Sequence, residues 1–229
     1  MFDPFGWATA RLSPTFATPA PAHPGWPEVT DTVTLADGTS LRLRPLTHRD
    51  FTAWSQQRIL DEAWLRPVEP TQHYSWEESH SRVQWRSNFS NLRSLAARGV
   101  VVPMVIEVEG KFAGQVTIGN IQHGAISEAW IGYWVHSAYM GRGVATAACA
   151  LGTDLGFRRI GLHRLTATFL PSNPASGKVL ENCGYRREGF LQRNLHIDGH
   201  WQNHYLVAQV ADDFPVSAVA RLTRAGRLR

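Results

Sequence analysis

The stretch Tyr139-Met140-Gly141-Arg142-Gly143-Val144-Ala145-Thr146 decides the fold. It joins an aromatic-rich strand pattern, Ala125 to Val135, to an apolar helical pattern from Val144 to Phe157. A helix N-terminus presents unpaired backbone N–H groups and the positive end of the helix dipole, and therefore holds phosphates. Gly141 and Gly143 let the main chain approach a pyrophosphate with no side chain in the way. Arg142 adds positive charge at the rim. On its own, Gly-Arg-Gly also fits a tight strand-to-helix turn that holds nothing. A dinucleotide fold wants a third glycine where this chain has Thr146, and a Walker loop wants Gly-Lys-Ser or Gly-Lys-Thr, which is absent.

Working outward, Val33 to Leu35 and Leu41 to Leu43 flank Asp37-Gly38, a hairpin signal. Thr47 is placed to cap a helix from His48 to about Leu60, with Phe51, Trp54 and Ile59 as its apolar positions and Pro67 and Pro70 as breakers. Ser75 and Glu78 form a capping box for a second helix, Trp76 to Ala97, which Gly99 ends. Val100 to Val108 and Phe112 to Ile118 read as strands around Glu109-Gly110. Arg164 to Leu170 is a further strand, and Ser172 is expected to cap a short helix ending near Asn182. Tyr185 to His196 and Trp201 to Val210 close the pattern as a hairpin around Asp198-Gly199. Strict strand-helix alternation is absent, which argues against a doubly wound sheet and for a mixed α+β sheet.

Composition sets the limits. With 229 residues, 43% hydrophobic and 18% charged, the chain fits one globular domain with tails. Residues 1–28 hold six prolines and are expected to form an arm, with Phe2, Phe5, Trp7 and Trp26 available to pack on the domain. The domain is expected over 29–213 and an arginine-containing tail over 214–229. The net charge of +4 comes from that tail: without Arg221, Arg224, Arg227 and Arg229 the 23 basic residues fall to 19, equal to the 19 acidic ones. The tail reads as a solvated end, and sequence-specific nucleic-acid binding is not expected. Cys149 and Cys183 are too few for a disulfide framework or a zinc site. No apolar run is long enough to cross a membrane and no secretory leader opens the chain, so a cytoplasmic protein with no metal is expected.

Met140 to Ala145 resembles the acetyl-CoA pyrophosphate loop of the GNAT acetyltransferase superfamily, Gln/Arg-x-x-Gly-x-Gly/Ala. Gly143 and Ala145 match and Met140 departs, which matters little if main-chain N–H groups hold the phosphates. Asn173-Pro-Ala-Ser176, followed by Val179 to Tyr185, is similar to the family's Asn-x-x-Ser/Ala…Gly-Phe helix. The resemblance, over about residues 30 to 213, implies a mixed αβα sandwich: a mostly antiparallel sheet of six to seven strands with about four helices. It implies that acetyl-CoA lies along Trp134 and Val135 and on Met140, Gly141, Arg142, Gly143, Val144, Ala145 and Thr146. Asn173 and Ser176 would then meet the pantetheine arm. Ile131 to Val135, Val179-Leu180-Glu181 and Arg42 to Leu46 look like the RimJ/RimL type, implied to acetylate protein N-termini, ribosomal proteins among them.

The family reaction is attack of a neutral amine on a thioester, so a base must take a proton and a donor must meet the leaving sulfur. Many members carry a Tyr donor seven residues after the Asn; here that position is Leu180. Ser176 is the substitute the resemblance implies, or else it only bonds the cofactor. For the base, Glu128 shares a strand face with Trp130, Gly132 and Trp134, or else it is a solvated carboxylate at a strand end. His123, His136 and His196 are other candidates. Trp54 and Trp85 read as core, and Trp64, lying in the break before Pro67, as a substrate-groove residue. A small-molecule acetyltransferase, a non-catalytic acyl-CoA-binding regulator and a nucleotide-dependent oxidoreductase are the competing readings; a monomer or a homodimer fits equally.

Overall fold

The computed structural model of the protein describes residues 29–229, so the expected arm over residues 1–28 lies outside the described residues. Eight strands form one sheet: β1 (Val33–Thr34), β2 (Ser40–Pro45), β3 (Val101–Val108), β4 (Lys111–Gln122), β5 (Glu128–Val135), β6 (Arg164–Phe169), β7 (Arg186–Ile197) and β8 (His200–Val210). Their order is β1-β2-β3-β4-β5-β6-β8-β7. Every neighbouring pair is antiparallel except β5 and β6. The α-helices are α1 (Phe51–Leu60), α2 (Glu62–Leu65), α3 (Trp76–Ser79), α4 (Arg82–Ala97), α5 (Val144–Asp154), α6 (Pro174–Asn182) and α7 (Ala218–Arg224). The mixed α+β architecture is as expected, with one strand more than six to seven and seven helices where about four were expected. Among the described residues no helix is long and apolar enough to cross a membrane.

Strand alternation splits the core between the two faces of the sheet. Met104 and Ile106 pack on α5, whereas Val105 and Phe112 pack with Leu46, Trp54 and Trp85 on the other side. Helix α5 is rich in small residues, so it lies close to the sheet: a Cβ added at Gly152 would come 2.9 Å from both Ile131 and Val116. The hairpin turns use the residues the sequence offers. Glu109 and Gly110 have φ of 50° and 74°, and Asp198 and Gly199 have 41° and 84°, the signs a two-residue primed turn needs.

Four local expectations are corrected. The helix expected over Trp76 to Ala97 is two helices, because His80 turns inward to stack on Trp76 (ring centroids 4.4 Å apart) and Trp54 (5.1 Å), and Ser81 caps a new start. Asn173, not Ser172, caps α6: its side chain accepts from the Ser176 N–H at 3.2 Å. Ile59 is exposed, and the buried positions on α1 are Trp54 and Arg58. The basic tail is not a solvated end. Ala218, Leu222 and Leu228 are buried in the main core, Asp154 accepts from the Ala218 and Val219 N–H groups, and the Arg229 N–H reaches Thr34 O at 2.9 Å. The arginines of that segment sit on an apolar i, i+4 pair, which net charge does not reveal.

Candidate active site

Strands β5 and β6 pair over only three positions, Glu128↔Arg164, Ala129↔Leu165 and Trp130↔Thr166. Past Trp130 they splay. Ile131 to Val135 and Ala167 to Phe169 then have no strand partner across the gap, and their backbone groups on those edges are left for another hydrogen-bonding chain. The gap is a cavity of about 170 Å³ between Gly132, Tyr133 and Trp134 on one wall and Ala167 to Leu170 on the other. Asn173 and Ser176, at the start of α6, and Leu180 also line it.

The chain leaves β5 through the turn that ends in Gly141-Arg142-Gly143. Asp61, which caps the end of α1, anchors it: its Oδ2 accepts from the His136 Nδ1–H at 2.7 Å and from the Ser137 N–H at 2.8 Å. Burial works to raise the Asp61 pKa, but the hydrogen bonds from Ser137 and His136 outweigh it and hold the carboxyl below its ordinary value. Gly141 and Gly143 have φ of 73° and 84°, the left-handed region, and a Cβ at either would meet nothing within 4 Å. Gly143 caps α5, so the N–H groups of Val144, Ala145 and Thr146 begin the helix facing that open space. The Arg142 guanidinium reaches Asp37 at 3.1 Å and Thr39 Oγ1 at 2.8 Å, which ties the turn to the β1–β2 hairpin. The side chains of Val144 and Thr146 are buried and Met140 is exposed, so the turn offers main chain to a ligand.

Between the aromatic side chains of α1, α4 and β5 runs a second, open groove of about 490 Å³, with Trp54, Trp85, Phe89, Trp130 and Trp134 along it. Trp54 and Trp85 are buried core residues that also face this groove. At its end lies Arg58, 6% exposed, with its guanidinium carbon 5.5 Å, 5.6 Å and 5.0 Å from the ring centroids of Trp54, Trp76 and Trp134. The Arg58 Nε–H donates to His80 Nε2 at 2.7 Å. Burial, and then the Arg58 charge, push the His80 pKa down to about 4, so the imidazole stays neutral and keeps that lone pair. Gly132, Tyr133, Trp134, Glu69 and Pro70 line both the groove and the splayed cavity, so the two adjoin.

Not every candidate from the sequence meets at this junction. Trp134, Asn173 and Ser176 do, while residues 140–146 form the turn into α5 outside that cavity and Val135 is buried. Trp64 is 65% exposed and stands apart from the groove, because α2 turns it outward. Glu128 lies where β5 and β6 still pair, against Arg164 at 3.4 Å and Thr166 Oγ1 at 3.3 Å, and lines neither cavity. His136 is held by Asp61 and the His196 ring by Thr71 Oγ1 at 2.8 Å; His123 lines neither cavity. Sequence reading missed Tyr133. Its hydroxyl lies 3.1 Å from both Ser176 Oγ and Ser176 O, and burial raises its pKa well above the ordinary tyrosine value, so it stays protonated beside the serine. The period-two alternation of Ile131, Tyr133 and Val135 is the signal that placed it on the α6 side.

A splayed parallel pair, a helix-start amide cradle beside it and an acceptor groove meeting both define a coenzyme-A-dependent acyltransferase. Residues 40–186 match the Acetyltransferase (GNAT) domain model. The structure superposes on Mycobacterium smegmatis RimJ in complex with CoA-disulfide with a TM-score of 0.87 and 46% identity, covering 90% of this chain and 99% of that one. The [Ribosomal protein uS5]-alanine N-acetyltransferase of Escherichia coli (strain K12) is 25% identical over 177 residues, 76% of this chain and 89% of that protein. The Probable N-acetyltransferase YjcK of Bacillus subtilis (strain 168) is 35% identical over 105 residues, 46% of this chain and 58% of that protein. The chain belongs to the GNAT acetyltransferase family, and it is an acetyl-CoA-dependent N-acetyltransferase. Among the described residues no group of three or more His, Cys, Asp or Glu side chains could hold a metal ion.

One consequence concerns the turn itself. Gly143→Asp puts a strained, negatively charged residue at the helix start where the sequence reading expects the phosphates of acetyl-CoA. Affinity for acetyl-CoA is expected to fall at least about tenfold, or roughly 1.4 kcal/mol. Calorimetric titration of the folded variant checks this; unchanged affinity would make the turn structural only.

Proposed function

We propose that the acceptor is the N-terminal amine of a protein, with ribosomal proteins as the first candidates. The observation that carries this is the open aromatic groove leading to the splayed cavity: it has room for an extended chain end, and the exposed Trp130 and the half-buried Trp134 line it. M. smegmatis RimJ and the E. coli uS5-alanine enzyme support the same reading.

In this reading the N–H groups of the 140–146 turn hold the pyrophosphate, and the unpaired edges of β5 and β6 bond the pantetheine amides. Asn173 and Ser176 meet the arm near its sulfur. The Tyr133 hydroxyl donates to the Ser176 carbonyl and fixes the start of α6, which leaves the Ser176 hydroxyl to donate toward the departing thiolate. A thiolate with an ordinary pKa near 8.5 needs little more than a good hydrogen bond at neutral pH.

A second reading has one specific observation behind it. Beside the junction lies an acidic cavity of about 590 Å³ with Glu62, Glu69, Glu77 and Asp198 against Arg66, a setting that suits a small polyamine or aminoglycoside. The two are separated by profiling N-terminal peptides against small amines with acetyl-CoA. Binding alone is tested first: acetyl-CoA at one hundred times its Kd is expected to stabilise the fold by about 2.7 kcal/mol, read as a raised Tm, with ATP and NAD far less effective. No shift at millimolar acetyl-CoA would remove the assignment of the turn.

A further inference from the structure

The reaction consumes a neutral amine, and an N-terminal amine with a pKa near 8 arrives at neutral pH mostly as ammonium. A proton acceptor is needed where the acceptor path meets the thioester cavity. Glu69 occupies that position. It follows the 3₁₀ turn Arg66–Val68, which the Pro67 and Pro70 signals mark only as a helix break. Among the described residues, Glu69 and Pro70 alone line the acidic cavity, the aromatic groove and the splayed cavity together. The segment is stitched down on its far side: Pro70 bridges to Ile197, and the Thr71 N–H donates to His196 O at 2.9 Å.

The carboxylate is also oriented. Its Oε2 takes a hydrogen bond from Arg58 Nη2, and Arg58 is itself fixed by three tryptophans and by His80. Among the described residues Oε1 accepts no hydrogen bond, so one oxygen remains for an ammonium. Arg58 is thus placed to hold the Glu69 carboxylate in one orientation, at a side-chain exposure of 19% that keeps a path to water.

We infer that Glu69 binds the acceptor ammonium and takes its proton; the inference rests on the acetyltransferase reading above. The ammonium gives one proton to Glu69, which passes it to water through the acidic cavity. The freed nitrogen lone pair forms the C–N bond at the thioester carbonyl. Glu69 takes the second N–H proton as the C–S bond breaks and returns it through water to the thiolate, which Ser176 hydrogen-bonds until then, so Glu69 ends as the carboxylate it began as. One amide, one thiol and one released proton result, which balances.

Other charged groups face the same space. Glu62, Glu77 and Asp198 add negative charge that favours an ammonium, and Arg66 opposes them. Tyr74 lines the acidic cavity, Tyr133 lines the other two, and His204 lines the splayed cavity. Burial lowers the His204 pKa, and its Nδ1 lies 3.1 Å from Gln202 O, so it is a neutral imidazole and the competing base.

The test is the pH dependence of kcat/KM with one N-terminal peptide, for the wild type, Glu69→Gln, Glu69→Asp, Glu128→Gln and His204→Gln. Wild-type turnover reports on the acetyltransferase reading, and the ratio of variant to wild type reports on Glu69. Glu69→Gln is expected to lose at least about tenfold at pH 6.5 and to recover toward wild type above pH 8, where the amine is already neutral. Glu69→Asp keeps part of the low-pH rate, and the Tm shift with acetyl-CoA stays as in the wild type. A pH-independent fall together with loss of that Tm shift would make Glu69 only a structural partner of Arg58 and overturn the assignment. So would a wild-type profile in Glu69→Gln, or the pH-rescued loss appearing in Glu128→Gln or His204→Gln instead.

Discussion

Gly114→Ala is expected to destabilise the protein by about 4 kcal/mol or more, the largest effect of any single methyl group added to this sheet. Gly114 sits at φ 149° beside a β-bulge, where Ile106 pairs with Gly114 and Glu107 with Phe112, leaving Ala113 extra. A Cβ there would lie 2.2 Å from Trp134 O and 2.9 Å from Val135 Cα. Both are backbone atoms, so no rotamer change relieves the contact. Backbone strain of about 1–3 kcal/mol and overpacking of a similar size add together. For a chain of this size the Tm is expected to fall by about 10 °C or more, measured calorimetrically. Gly110→Ala is the control: φ is 74° but nothing lies within 4 Å of the new Cβ, so only the left-handed conformation costs, about 1–2 kcal/mol. Equal losses in the two variants would mean that β4 and β5 can move apart. The bulge also matters to the site, because it sets the end of β5 from which Trp134 faces the groove and the phosphate turn departs.

Much of this architecture is legible in the sequence because it is local. Glu109-Gly110 and Asp198-Gly199 take positive φ at both residues and the first hairpin takes it at Gly38, conformations that favour glycine, so the three hairpins can be read directly. The glycine turn into α5 is legible for the same reason: Gly141 and Gly143 take positive φ next to a helix start. What is not legible depends on partners distant in sequence. Nothing around Ser79 announces that His80 must leave the helix, because the partners it turns toward include Trp54 and Arg58, 26 and 22 residues earlier. The tail reads as charge, yet its packing depends on Asp154 and on Leu35. Glu128 looks like the base by strand alternation, which gives the face but not how far along β5 the strands remain paired. Glu69 carries no motif at all; it becomes visible only when three cavities are seen to share it. Tyr133 lies in between, since alternation gives its side of the sheet but only the fold brings Ser176, 43 residues later, to its hydroxyl.

Ser176→Ala is expected to lower kcat on the order of a hundredfold, the size of a typical acid–base contribution, with little change in acetyl-CoA affinity. The two effects separate because a neutral hydrogen bond to bound acetyl-CoA is worth about 1 kcal/mol, whereas one to a developing thiolate is worth roughly 1.5–3 kcal/mol. An interaction that strengthens only as charge develops appears in kcat and not in binding. The pH profile gives the second criterion. Raising the pH supplies neutral amine but does nothing for the sulfur, so Ser176→Ala should run parallel to the wild type, in contrast to Glu69→Gln. Tyr133→Phe removes the hydroxyl that positions Ser176 and leaves the serine in place, so its loss should be smaller, about tenfold, and equally insensitive to pH. If Ser176→Ala keeps wild-type turnover, the serine serves only the first turn of α6, where its N–H already bonds Asn173 Oδ1. The thiolate would then leave unassisted, which its modest basicity allows, and the paired hydroxyls of Tyr133 and Ser176 would act on acetyl-CoA before attack, by fixing the helix start against which the pantetheine arm lies.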